Sequence, residues 1–144
     1  MKYVVAAALV AAGPAFADIQ QTEAQGSVQE TTDRLTSAIE EAGATVFTTV
    51  DHGAGAQEAG LDLPESQLVV FGNPQLGTPV MQEDIQAGLV LPLKMLVYDD
   101  GGQTYVAYEE VEDTFDDLDV DDDLDVFDQM EQALADFAQA AAGQ

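Results

Sequence analysis

Leu93-Lys94-Met95-Leu96-Val97-Tyr98-Asp99-Asp100-Gly101-Gly102-Gln103-Thr104-Tyr105-Val106-Ala107-Tyr108-Glu109 carries the clearest local instruction in the chain. Two runs, Leu93 to Asp99 and Tyr105 to Glu109, flank Asp100-Gly101-Gly102. An Asp-Gly step tolerates the positive φ that a tight hairpin turn demands. The stretch predicts an antiparallel hairpin, and so a fold with a sheet at its centre.

Upstream, the pattern alternates between helix and strand. Leu68 to Phe71 is a short apolar run stopped by Gly72-Asn73-Pro74, which reads as a buried strand entering a turn. Ala44 to Val50 alternates, with Val46, Thr48 and Val50 on one face and Thr45, Phe47 and Thr49 on the other. Between these strands, Asp51 to Gly60 is too rich in Gly and Ala for a strand and predicts a loop with a short helix near Ala54 to Ala59. Ser27-Val28-Gln29-Glu30 has the form of a capping box, in which Ser and Glu satisfy each other's free backbone amides. Val28, Leu35, Ile39 and Ala42 follow at helical spacing, and Gly43 can adopt the left-handed stop, so residues 28–42 are expected to be helical. Asp18 to Gly26 is polar and reads either as a disordered leader or as a poor edge strand.

Asn73 before Pro74 and Thr78 before Pro79 are both candidate helix caps. Met81, Ile85 and Leu89 step by four, which predicts a helix through about Ala87 that ends near Gly88. Past Glu112 the composition shifts to an acidic connector, followed by a helix over about Leu124 to Ala141. There Phe127, Met130, Leu134, Phe137 and Ala141 form an apolar stripe opposite Asp128, Glu131, Gln132 and Asp136. The stripe reads as docking on the domain's own core, with a partner interface as the alternative. The expected architecture is α+β: a two-layer domain with a small antiparallel or mixed sheet of four to five strands, helices mainly on one face, and an acidic C-terminal helix. A core over residues 27–110 would be followed by the connector and amphipathic helix of 111–144. Strand order is not readable from the pattern.

Three separated signals, taken in order, resemble one bacterial family. They are Asp51-His52-Gly53, Phe71-Gly72-Asn73-Pro74, and Leu91-Pro92-Leu93-Lys94 leading into Val97-Tyr98-Asp99-Asp100-Gly101. The combination resembles the domain of unknown function 302, over roughly half the chain. The resemblance places the Lys94 strand in the middle of the domain and implies no established activity.

The first residues bear on compartment. Met1-Lys2-Tyr3 is a short positive start, Val4 to Ala12 is apolar, and Ala15-Phe16-Ala17 has the small-x-small form of a signal-peptide cleavage site. The apolar run falls short of the ~20 residues that a permanent anchor needs. Cleavage after Ala17 and a periplasmic or secreted location are expected. The chain has no cysteine, which removes disulfides, thiol nucleophiles and Cys-ligated metals. Beyond residue 17 the only bases are Arg34 and Lys94, against 28 acids. Phosphate backbones and anionic headgroups are recognised through Lys/Arg clusters, so nucleic acid and direct membrane binding are not expected. A cationic partner, or simple solvation of the acidic tail, fits the charge better.

Calcium is the natural thought for Asp116-Asp117-Leu118-Asp119-Val120-Asp121-Asp122-Asp123-Leu124-Asp125. Counting from Asp117 puts Asp122 where an EF-hand loop needs Gly, and counting from Asp119 puts Leu124 there. Neither register has the final Glu. The run reads as a solvated connector, whose carboxylates also suit the start of the helix that follows. No metal site and no cofactor are assigned.

The catalytic inventory is thin. His52 is the only histidine, no serine lies in a nucleophile elbow, and Gly53-Ala54-Gly55 lacks the remainder of a phosphate loop. No residue is assigned as catalytic. Asp51, His52, Asn73 and Lys94 are the candidate ligand-binding residues, because the first three follow strands where polar groups collect around clefts and Lys94 is one of two remaining bases. Their ordinary structural roles would be a turn residue for His52, a helix cap for Asn73 and charge neutralisation for Lys94. A non-enzymatic exported binding or interaction module is the leading reading. The alternative is a small enzyme using Asp51 and His52 as general acid and base, with Asn73 and Lys94 in the same cleft. A homodimer through the hairpin edge or the C-terminal stripe is also expected.

Overall fold

In the computed structural model, which describes residues 18–144, the predicted hairpin sits at the centre of the molecule. Strands β4 (Leu93–Asp100) and β5 (Gln103–Glu109) pair from Leu96 opposite Ala107 to Asp100 opposite Gln103. Gly101 and Gly102 form the turn with φ of 63° and 92°, so both loop positions need the left-handed conformation that glycine adopts without cost. β1 (Ile19–Ala24) pairs with β5, while β3 (Ser66–Gly72) pairs with β4 and then with β2 (Thr45–Asp51). The sheet order is β1-β5-β4-β3-β2, with every pair antiparallel. The polar stretch after residue 17 is therefore an edge strand, and the cleavage motif lies outside the described residues.

Helices α1 (Val28–Glu41) and α5 (Asp125–Ala142) lie together on one face of this sheet. Alternate strand residues meet them: Val69 and Phe71, Met95 and Val97, and Val106 are all buried. Leu35 and Ile39 from α1 and Met130, Leu134 and Phe137 from α5 close the same core. On the other sheet face, Leu68, Val70 and Leu96 are half-exposed.

The capping box at Ser27 is present in full. Ser27 Oγ accepts from the Glu30 amide at 3.2 Å, and Glu30 Oε2 accepts from the Ser27 amide at 2.8 Å. These bonds to Ser27 hold the Glu30 carboxyl below its usual value of 4.5. Ser27→Ala should lower stability by ~1 kcal/mol in a urea melt at neutral pH. A carboxyl with a depressed folded pKa stabilises above its unfolded value and loses that contribution as pH falls through the folded one. The gap between wild type and Ser27→Ala should accordingly narrow below pH 4.5, and a gap independent of pH would separate Glu30 from the cap.

Close to the same cap, Arg34 ties three segments together, the chain before α1, α1 itself and the C-terminal end of α5. Its guanidinium donates to Ala141 O at 2.9 Å, to Thr31 Oγ1 at 3.1 Å and to Gln25 O, so one of the two bases is spent on helix ends rather than on a ligand.

Three details depart from the sequence reading. α3 (Pro74–Glu83) stops before Ile85, because Asp84 adopts an extended backbone (φ −135°, ψ 112°) and caps a short 3₁₀ segment, Ile85–Leu89, by accepting from the Gln86 amide at 2.9 Å. Met81 therefore faces inward, while Ile85 and Leu89 are 78% and 85% exposed and form no helical stripe with it. In β2 the register shifts between Val46 and Thr48, so Val46 pairs with buried Phe71 while Thr48 and Val50 pair with Val70 and Leu68 on the open face. The extra residue of a bulge breaks strict alternation, which a simple period of two cannot anticipate. Within the acidic connector, Val111–Phe115 forms a short helix, α4, and Phe115 stacks on Phe127 with ring centroids 5.1 Å apart.

Both surfaces on which a dimer was expected are covered within one chain. The hairpin is flanked on both sides by β1 and β3, and the C-terminal stripe is largely buried.

Candidate functional site

Antiparallel pairing separates the candidate residues. Asp51 ends β2 opposite Gln67, at the start of β3, whereas Asn73 follows Gly72, which lies opposite Thr45 at the start of β2. Six residue steps of about 3.3 Å put these two ends about 20 Å apart. Strand ends share one edge only in a parallel sheet, and that is why grouping residues by "end of strand" misplaced them here. Asp51 Oδ1 accepts from the Ala54 amide at 2.8 Å and so caps α2 (His52–Glu58); His52, the first residue of that helix, is exposed. Asn73 Oδ1 accepts from the Gln75 amide at 3.0 Å and caps α3. Lys94 is exposed, with Nζ 3.5 Å from Val90 O, on a strand position paired with Val70. The four residues do not converge.

Two of the four border a cleft, but not the same one: Lys94 lines a depression of about 370 Å³ with Leu68, Val90, Leu93 and Leu96, and Asn73 lines the cavity beside α3. This second cavity, of about 350 Å³, opens where the end of β3 meets α3, α5 and the Leu91-Pro92 turn. Its walls are Phe47, Phe71, Leu76, Met81, Leu91, Met130 and Phe137, and Asn73 and Thr78 contribute its polar side chains. Phe71 and Phe137 meet edge to face at 5.6 Å and 81°, which fixes one wall. Among the described residues, no charged side chain lines the cleft.

Gly72, Gly77 and Gly88 all line it. A Cβ at Gly72 would come within 3.2 Å of the Phe47 ring, a tight approach, whereas Cβ atoms at Gly77 and Gly88 would make ordinary contacts with Leu91 Cδ1 at 3.4 Å and Met81 Sδ at 3.5 Å. The sequence signal for this cleft is weak, because Gly72 and Gly88 also read as punctuation between elements.

The carboxylates gather elsewhere. Asp18, Glu110 and Asp113 offer oxygens within 4.8 Å of one another, at the start of β1 and the entry to α4. Two of the three already accept hydrogen bonds: Asp113 Oδ2 from the Asp18 amide at 2.7 Å, and Glu110 from the Gln20 side chain. The connector run folds back on α3 instead of standing free. Glu83 Oε2 accepts from the Asp121 amide at 2.7 Å, and Asp84 Oδ2 from the Asp119 amide at 3.1 Å.

Chemically, the cleft can hold an apolar molecule and orient it through one amide and one hydroxyl.

Comparison with known proteins agrees with this geometry in fold and is silent on chemistry. A crystal structure of an uncharacterized conserved DUF302 protein from Bacillus stearothermophilus superposes with a TM-score of 0.79 at 22% identity, covering 85% of this chain and 97% of that one. Curated relatives include a protein named fluoride-specific ion channel FluC 1 from Brucella suis, 51% identical over 79 residues, which are 55% of this chain and 31% of the relative. A protein of the same name from Brucella abortus matches equally over 79 residues, 29% of its length. The matched segment thus spans about a third of these relatives, and among the described residues no helix is long and apolar enough to cross a membrane. The model of the domain of unknown function DUF302 matches residues 20–140, reaching through β1 at one end and into α5 at the other, and the chain belongs to that family.

Proposed function

We propose that this protein is an exported, non-enzymatic binding module that holds a small apolar molecule in the cleft between β3, α3 and α5. The observation that carries this reading is the cavity of about 350 Å³ with aromatic and aliphatic walls and Asn73 at its border. Small-molecule sites of about 300–1,000 Å³ share this make-up of mostly apolar walls with a few fixed polar groups. The ligand should be neutral or cationic, because every anion approaches a surface with two bases against 28 acids. Fluoride conduction is not part of the reading, since it belongs to relatives of which the match covers about a third.

Export rests on the Ala15-Phe16-Ala17 motif and predicts a mature N-terminus at Asp18. The binding test is a fluorescence titration with N-phenyl-1-naphthylamine, a neutral apolar probe. Saturable one-to-one binding is expected. Ala133→Phe, which places a ring in the cleft from α5, should weaken binding at least tenfold while leaving the circular dichroism spectrum unchanged. The anionic probe anilinonaphthalene sulfonate should bind more weakly than the neutral one. Non-saturating uptake, or a titration that Ala133→Phe leaves unchanged, would remove the cleft from the function.

A further inference from the structure

β2 is an edge strand whose outer side has no partner among the described residues. It pairs only with β3, and among the described residues no backbone hydrogen bond outside the ladder reaches Thr45–Val50. Backbone amides and carbonyls along such an edge are a template for another strand. The opposite edge is handled differently. β1 carries Glu23, starts among the carboxylates of Asp18, Glu110 and Asp113, and is tied at its far end by Gln25 N to Ala142 O at 2.9 Å. A charged, stitched edge is a usual protection against strand addition. β2 has only the single bulge at Phe47, and it exposes Phe47 (56%) and Val50 (41%).

Charge says what fits there. From Gly43 to Val50 the chain has no charged residue, in a molecule that otherwise carries acids on nearly every element. Two copies of so acidic a protein repel each other across most approaches, and this strip is one where they can meet. We infer that β2 pairs antiparallel with β2 of a second copy around a two-fold axis near Thr48, joining two five-stranded sheets into one. In that register Val50 lies opposite the partner's Val46, and Asp51 lies opposite the partner's neutral Thr45. The two Asp51 carboxylates then sit about 20 Å apart, at opposite ends of the seam. Parallel pairing would bring them together, so the charge pattern selects the two-fold arrangement. Identical strands around a two-fold axis also match in length and in uncharged span, which a foreign strand has no reason to do.

The seam is small and works against a large like charge, so association should strengthen with salt. Sedimentation velocity on the full mature chain at about 100 μM, in the range where modest interfaces populate, should give mostly monomer in ~10 mM NaCl and twice the monomer mass in ~1 M NaCl. Thr48→Glu sets two carboxylates face to face across the axis and should restore monomer in high salt, with an unchanged circular dichroism spectrum because Thr48 is exposed. Thr49→Glu is the second variant should the first fail to fold. Because the chain has no cysteine, Thr48→Cys adds a sole thiol, and a disulfide-linked dimer should form under mild oxidation at least tenfold faster than with Ile19→Cys, which is also exposed but lies on β1 at the opposite edge of the sheet. Monomer at every salt concentration overturns the inference. So does a dimer that folded Thr48→Glu or Thr49→Glu leaves intact, or crosslinking no faster at position 48 than at 19.

Discussion

Phe137→Ala should lower the unfolding free energy by ~3–5 kcal/mol, the usual cost of removing a core phenylalanine and leaving a void behind. The ring is 6% exposed, meets Phe71 edge to face, and lies on α5 in the same packed layer as Met130 and Leu134. It also borders a cavity that is already open, so its neighbours have little means of collapsing into the space it vacates. Losing the aromatic pair adds about 0.5–1.5 kcal/mol to the transfer term. Domains of this size are stable by only about 5–15 kcal/mol, so a large part of the total is at stake. In urea denaturation the midpoint should fall with little change in slope, since wild type and variant expose similar surface on unfolding apart from one ring. Phe137→Leu, which keeps most of the volume, should cost less than half as much. A loss below ~1 kcal/mol for Phe137→Ala would mean that α5 does not pack on the sheet, an outcome outside the range for any buried phenylalanine.

The parts of this fold that were legible in the sequence are those in which one short-range signal determines the outcome. Asp100-Gly101-Gly102 dictated a turn with two positive φ angles, and Ser27 with Glu30 dictated a helix start; both are present with the expected hydrogen bonds or dihedrals. The apolar stripe of α5 was readable for the same reason, because a period near 3.6 has one solution once a sheet is available to cover it. Met81, Ile85 and Leu89 had the same spacing and failed, since Asp84 could cap a new segment and end the helix, and spacing alone does not weigh a cap against propagation. The candidate site was legible only in fragments. Asp51 and Asn73 were recognised as residues following strands, but whether two strand ends adjoin depends on parallel or antiparallel pairing, a long-range fact absent from local pattern. The cleft is assembled from β3, α3, the Leu91-Pro92 turn and α5, segments over 60 residues apart, and only their joint packing leaves it open.

Sodium chloride should raise the melting temperature, because self-repulsion among carboxylates is a large unfavourable term in this native state. Past residue 17 there are 28 acids and two bases, one of which, Arg34, bonds backbone carbonyls and a hydroxyl. Folding concentrates those charges: Glu110, Glu112, Asp122, Asp123, Asp128 and Glu131 surround one depression, and Asp18, Glu110 and Asp113 come within 4.8 Å. The unfolded chain spreads the same charges over a larger volume, so repulsion favours expansion. Salt reduces that difference, since the Debye length falls from about 30 Å at 0.01 M to about 3 Å at 1 M. A gain of ~2 kcal/mol across that range would correspond to a rise of roughly 8 °C for a domain of this length. Sodium chloride and sodium sulfate compared at equal ionic strength separate screening from general salting-out, because sulfate additionally strengthens apolar burial. Calcium and magnesium should act at lower concentration than sodium but without a saturable stoichiometric step, since the connector lacks the loop geometry that gives calcium its ligand set. A melting temperature that stays flat from ~0.01 to ~1 M NaCl would discard the repulsion account, and a one-to-one calcium isotherm in calorimetric titration would show that the carboxylates form a specific site.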